Sequence, residues 1–302
     1  MANSFGGVNT ALIAQEGLEA FKAALAPLRA LAVDFSAEAA AKNESVTTRL
    51  ITAETAGAFS GNYVADTTTT LTAKTITLNQ HTFSAFHITD VQSSKTNVDV
   101  MLMQAREASY AVGKTIFQYF TNLIVAATYG DTAADKVTVA AASFDADDVA
   151  DLAKLMDDAD IPETNRSLIL SNVYMAPLRK DNAVQDASAL GSSEVIREGS
   201  IGRLLGFDVF RTNGFSSTVT DENTQGIGIH PTAIVGAIRP VRPLDEGSQM
   251  IGFEMPTDPE SQVTLGFRDW YDPNTGKRWG VFEALYGATA AQTTGAKRLV
   301  TA

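Results

Sequence analysis

Apolar positions change their spacing several times along this chain, and each change marks an element. Between residues 9 and 34, Leu18, Phe21, Leu25 and Leu28 recur at intervals of three and four, the spacing of a helix with one face on a core. Pro27 predicts a bend or a division of that helix. From Ser45 to Thr89 the texture is threonine-rich, and Ile76 with Leu78, then Phe86 with Ile88, alternate with polar neighbours as half-buried strands do. Gly57, Gly61 and Asn62 punctuate this stretch, and the run Thr67 to Thr70 offers too little apolar surface for a core. The pattern predicts a long, thin β-hairpin standing away from the body. Such a hairpin is marginal alone in water, so it calls for a neighbour, expected to be another chain.

The helical spacing returns at Asn97 and is sustained longer than anywhere else. Val98, Met101, Ala105, Ala108, Val112, Ile116, Phe120, Leu123 and Ala127 keep to one face, with Asn97 as N-cap and Asp99 in the first turn. About thirty residues predict a strut of roughly 45 Å. A second helix is expected in "SFDADDVADLAKLMDDAD", with Val149, Leu152, Leu155, Met156 and Ala159 as its apolar side and Asp145, Asp147 and Asp148 at its positive end. Then come a short buried strand, Leu168 to Leu170, a turn at Ser171 and Asn172, and a helix carrying Tyr174 and Leu178. The last third alternates with a period of two. Val263, Leu265 and Phe267 lead to a tip at Asp272 to Lys277, and Trp279, Val281 and Phe282 return from it. Helices and strands fall in blocks rather than in regular βαβ order, so the class is α+β.

Composition narrows the functions open to such a fold. The chain has 302 residues and a formal net charge of −12, which disfavours binding nucleic acid by neutralising phosphates. With no cysteine, disulfides, thiolate metal sites and cysteine nucleophiles are excluded. The start "MANSFGGVNT" has neither a basic nor an apolar run, so no secretory signal is predicted. The most apolar helical stretch, Thr115 to Thr128, is too short to span a bilayer. No membrane partner is therefore expected.

Each motif that carries chemistry elsewhere fails here on spacing. "GKT" at Gly113 to Thr115 ends like a phosphate-binding loop, but Ala108 stands where its first glycine is needed and the segment is mid-helix; Tyr271 spoils "NTGKR" in the same way. In "EGSIGRLLGFDVFRTNGF", Gly199, Gly202 and Gly206 lack the dinucleotide spacing and open onto a strand at Phe207, Val209 and Arg211, which predicts a corner rather than an anion site. An EF-hand beginning at Asp145 would put Ala150 at the glycine position and Met156 at the final carboxylate. His81 and His87 share a strand face but stand roughly 20 Å apart, too far to share a metal. Asp269 and Glu283 are carboxylates that could face each other across the last hairpin as an acid/base pair. No catalytic, cofactor or metal site is assigned.

The order of these parts carries a resemblance. The arm helix, the polar hairpin, the strut helix, "FDADDVADLAKLMDDADIPETNRSLILSNVYMAPL", "GSIGRLLGFDVFRTNGF" and the closing hairpin together resemble the major capsid protein of tailed bacteriophages, over nearly the whole chain. The resemblance implies an N-terminal arm over residues 1–40, an extended-loop hairpin over 41–95 and a peripheral domain with its spine helix over 96–130. An axial domain over 131–235 and a return to the peripheral domain over 236–302 complete it. The implied function is a coat subunit that self-assembles through hexamers and pentamers into an icosahedral shell around the phage genome. An encapsulin-like shell is the alternative within the fold, and a cytosolic α+β enzyme is the alternative of a different class. Implied partners are further copies of the chain, a separate scaffolding protein (the arm begins almost at Met1), a portal and decoration proteins. DNA is enclosed without sequence-specific binding, and the shell is assembled in the host cytoplasm as the capsid of a virion. Expected contacts between subunits are Thr67, Thr68, Thr69, Thr70, Lys74, Arg203, Asp272, Asn274 and Lys277. Some members lock hairpin lysine to asparagine covalently; Lys74 is the lysine so placed here, with no motif that makes it reactive.

Overall fold

The computed structural model describes residues 10–25, 32–34, 45–51, 59, 61, 71–95, 99–181, 184, 201–212, 215, 219, 222–243, 250–257 and 263–302, and the structural statements below concern these residues. Helix α1 runs Thr10–Leu25 and strand β1 is Ala32–Asp34. Strand β1 shows that the helix predicted through residue 34 does not reach that far, while residues 26–31, with the bend expected at Pro27, lie outside the described residues. The hairpin strands β2 (Ser45–Ile51) and β3 (Leu71–Thr77) pair antiparallel over seven positions, from Ser45 with Thr77 to Ile51 with Leu71. Strand β4 (Gln80–Thr89) follows, then the short helix α2 (Asp90–Lys95).

The strut is helix α3, Asp99–Thr121, with 23 residues, or about 34 Å at 1.5 Å each. It ends before the predicted Thr128, and the chain tightens there into bonds reaching three residues back, from the Leu123 N–H to the Phe120 carbonyl and from the Ile124 N–H to the Thr121 carbonyl. A separate single turn, α4 (Ala126–Tyr129), follows. The predicted N-cap, Asn97, and Val98 lie outside the described residues.

After β5 (Lys136–Val139) comes helix α5, Ala146–Asp157, whose start matches the aspartate pattern. Asp145 caps it by accepting from the Asp147 and Asp148 N–H groups, and Asp148 returns the bond to the Asp145 N–H. The acids invited a calcium loop and instead close a capping box. The predicted turn at Ser171 and Asn172 is not a turn: β6 (Ser167–Ser171) passes straight into α6 (Asn172–Leu178), with the Ser171 hydroxyl as N-cap. The glycine-rich stretch makes the expected corner. Strands β7 (Arg203–Leu204) and β8 (Phe207–Thr212) are joined by Leu205 and Gly206, both at positive φ, 46° and 86°. The remaining strands are β9 (Thr224–Ile229), β10 (Ile234–Arg239), β11 (Met250–Glu254), β12 (Gly266–Asp272), β13 (Lys277–Ala290) and β14 (Ala296–Thr301). The closing hairpin has the predicted tip, since Asp272 is opposite Lys277.

These strands form two six-stranded sheets beside the two-stranded hairpin. In the first, the 14-residue β13 holds β10 and β12 in tandem along one side and β4 along the other. The second runs β5, β14, β9, β6, β8, β7. One core joins both sheets. Ile13, Phe21, Ala105, Val112, Ile116 and Phe120 of α1 and α3 pack on Phe267, Phe282 and Tyr286 of the first sheet, and on Ile169, Ile227 and Ile229 of the second. The other face of the second sheet is covered by α5 and α6 through Val149, Leu152, Tyr174 and Leu178. A third, small cluster holds the root of the hairpin: Ile76 and Leu78 lie on Val235 and Ala237 of β10.

Candidate functional site

The first sheet has one face covered by α1 and α3 and a second that, among the described residues, is covered at its β10 end by the hairpin root and open beyond it, and register decides which side chain lies on each. Asp269 is opposite Gly280 and Glu283 is opposite Gly266, three positions apart along β13, so the two carboxylates lie on opposite faces. The expected acid/base pair therefore does not form. Asp269, on the covered face, is fully buried and pairs with Arg278, whose Nε donates to it at 3.0 Å. Glu283, 3% exposed, lies on the other face between Arg268 of β12 and His81 of β4, with His81 Nε2 3.0 Å away. Each carboxylate has its own cation, so both are arranged as cross-strand ties rather than as a proton relay.

Around Glu283 the open face carries Phe83, 62% exposed, then Trp279 and Trp270. These are the only two tryptophans of the chain, and their rings stack at 6.0 Å. His87 lies 4.6 Å from the Trp279 ring, and Lys277 is over the same ring at 5.7 Å. His81 and His87 thus have separate partners. Among the described residues no three His, Asp or Glu side chains are grouped as a metal site, and no helix is long and apolar enough to cross a membrane.

The hairpin tip beside this face is locked by local bonds. Asp272 accepts from the Asn274 N–H and the Thr275 hydroxyl, and these bonds hold its carboxyl below the usual range. Tyr271 donates to Asp90 at the start of α2, which raises its phenol. The Asp90 N–H in turn donates to the Gly276 carbonyl. Asp272, Asn274 and Lys277 are therefore neighbours on one rigid turn. The other expected contacts lie elsewhere. Lys74 is in the hairpin opposite Thr48. Arg203 is on the edge strand of the second sheet, 66% exposed, with Asp208 at 3.9 Å. Thr67, Thr68, Thr69 and Thr70, and the loop Asn182 to Ser193 apart from Val184, lie outside the described residues. Gly113 to Thr115 sits within α3, where the Thr115 hydroxyl bonds to the Ala111 carbonyl.

One knot was not visible in sequence patterning. Arg298 of β14 is 1% exposed and reaches Glu222, Asp131 and the Gly130 carbonyl, each at 2.7–2.8 Å. Glu222 also accepts from the N–H of Ala126 at the start of α4. Bonds to Lys136 and Arg298 hold the Asp131 carboxyl low. Next to it, Lys297 reaches the Ala134 carbonyl and Asp135. In the sequence the only sign was two consecutive cations inside the otherwise apolar run from Ala296 to Val300.

No protein-family model and no curated protein matches the sequence. Solved structures match it by fold. A chain from Mycobacterium phage Che8 aligns with a TM-score of 0.60 at 16% identity, covering 90% of this chain and 89% of that one. A capsid structure of the cyanophage P-SCSP1u aligns at 0.57 and 15% identity, covering 90% and 85%. A chain of the mature capsid of bacteriophage PhiM1 aligns at 0.55 and 12% identity, covering 86% and 83%. The chain thus has the α+β fold seen in phage capsids, along nearly its whole length.

Proposed function

We propose that this chain is a structural coat subunit, the major capsid protein of a tailed bacteriophage. It assembles with copies of itself into an icosahedral shell around the genome. The observation that carries this is the end-to-end fold match to chains of phage capsids. Features inside the chain agree with it. Among the described residues the β2–β3 hairpin forms a sheet of two strands, which is marginal without a neighbour. The open face of the first sheet leaves Phe83 bare, as an interface does before its partner arrives.

In this assignment the hairpin lies over an adjacent subunit. Helix α3 and the closing hairpin belong to the peripheral domain, and residues 131–235 form the axial domain that faces the centre of a hexamer or pentamer. Lys74, Arg203 and the tip residues Asp272, Asn274 and Lys277 contact neighbours, together with Thr67 to Thr70. The net charge of −12 per subunit keeps packed DNA from adhering to the wall. The subunit is not a catalyst. It assembles in the bacterial cytoplasm with a separate scaffolding protein and a portal, and decoration proteins bind the finished shell.

Sedimentation of the purified protein tests this. Rings or shells many times the 32.1 kDa of one chain are expected, and deletion of Thr67 to Thr72 should leave a folded subunit that no longer assembles. Normal particles from the deletion variant would refute the role given to the hairpin. A wild-type protein that stays monomeric at every concentration, with a scaffolding protein supplied, would refute the coat assignment.

A further inference from the structure

Strand β4 is ten residues long and pairs without a bulge along β13, from Gln80 with Tyr286 to Thr89 with Lys277. Among the described residues β13 is its only strand partner, because β10 and β12 both occupy the far side of β13. Among the described residues its outer edge is therefore an open row of backbone donors and acceptors, closed at Thr89, whose N–H donates to the Gln92 side chain. Natural edge strands are blunted by lysine, proline, bulges or shortness. The sequence of β4, QHTFSAFHIT, has no Lys, Arg, Asp, Glu or Pro, and Phe83 stands exposed beside the edge. A long, regular, uncharged edge of this kind is suited to receiving a strand.

Among the described residues there is a second unpaired edge: strand β2 has seven residues and is paired there with β3 alone. We infer that in the assembly the outer edge of β2 in one copy pairs through its backbone with the outer edge of β4 in the next, so that the hairpin extends its neighbour's sheet. The occupant is a second copy because only a second copy brings the complementary edge with it. Pairing β4 with β4 across a two-fold axis would close after two chains and leave every β2 bare. Pairing β2 with β4 lets each copy donate and receive, and so propagates from subunit to subunit. The inference rests on the coat assignment and specifies the surface on which the hairpin lands.

The chain has no cysteine, so introduced thiols report without background. Thr47→Cys at the middle of β2 is combined in turn with His81→Cys, Phe83→Cys, Ala85→Cys or His87→Cys, and assembled particles are oxidised. At least one combination is expected to give a ladder of linked chains, while every single variant stays one chain long. In parallel, Ala85→Lys should leave the melting temperature of the free subunit unchanged and lower the yield of particles at least about tenfold. Particles that form normally with Ala85→Lys, an absence of ladders in all combinations, or linked dimers from Ala85→Cys alone would overturn the inference while the coat assignment stands. A wild-type chain that never assembles would overturn the coat assignment itself.

Discussion

His230 caps the short turn before β10, with its Nδ1 2.8 Å from the Thr232 hydroxyl and only 8% of the residue exposed. Burial, and after it the charge of Arg166, push its ionisation below the ordinary 6.5. The unfolded chain titrates at that ordinary value and so binds more protons just below it. Stability is then fully present above about pH 6.5 and is lost as the pH falls toward the folded value. His230→Gln should flatten the fall of melting temperature between about pH 7 and 5, and an unchanged slope would contradict this. At Arg298, replacement by Met leaves Glu222 and the Gly130 carbonyl without their cation. The expected loss is about 3 kcal/mol in urea titration, and a loss under about 1 kcal/mol would show the knot to be incidental. Residue roles were legible where the partner is close in sequence: Asp145, Asp147 and Asp148 were read as charges at the positive end of a helix, and they stand there, with Asp145 and Asp148 closing a capping box. The Arg298 knot was not, because Glu222 and Asp131 are 76 and 167 residues away. Asp269 and Glu283 are instructive in another way, since counting outward from the predicted tip already puts them on opposite faces.

Elements were read best where one face is apolar and local signals mark the ends. The strand Leu168 to Leu170, the helix beginning at Asp145 and the closing hairpin with its tip all stand where the spacing puts them. Boundaries failed where the helix changes its bonding or a distant strand decides: past Thr121 the chain tightens into bonds three residues back, and β1 is recruited into a parallel pair with β10, Ala32 beside Ile234. Packing of one element on another also reverses an expectation from propensity. Gly17 lies inside α1, where alanine would ordinarily gain about 1 kcal/mol. A Cβ there would run into the ring of Phe282, and the Ser109 hydroxyl of α3 bonds to the Gly17 carbonyl at 2.7 Å. Gly17→Ala should therefore destabilise the protein by about 1–3 kcal/mol. A higher melting temperature would mean that α1 does not sit this close to the sheet.

On the scale of the whole molecule, the order of parts was more informative than any motif. The failed phosphate, calcium and histidine patterns all resolve into ordinary structure: a helix interior, a capping box, and two histidines with separate partners. The candidate interfaces were legible only as regions, since a pattern of alternation says that a strand exists but not which strands border it. That β4 is an open edge among the described residues follows from β10 and β12 sharing one side of β13, a fact of topology that no local window contains. The most direct test of a coat subunit is cryo-electron microscopy of the purified, concentrated protein, with scaffold supplied if needed. Closed icosahedral particles are expected, built from hexamers and pentamers with the hairpin of each subunit on its neighbour. A field of single compact subunits under every assembly condition would contradict it.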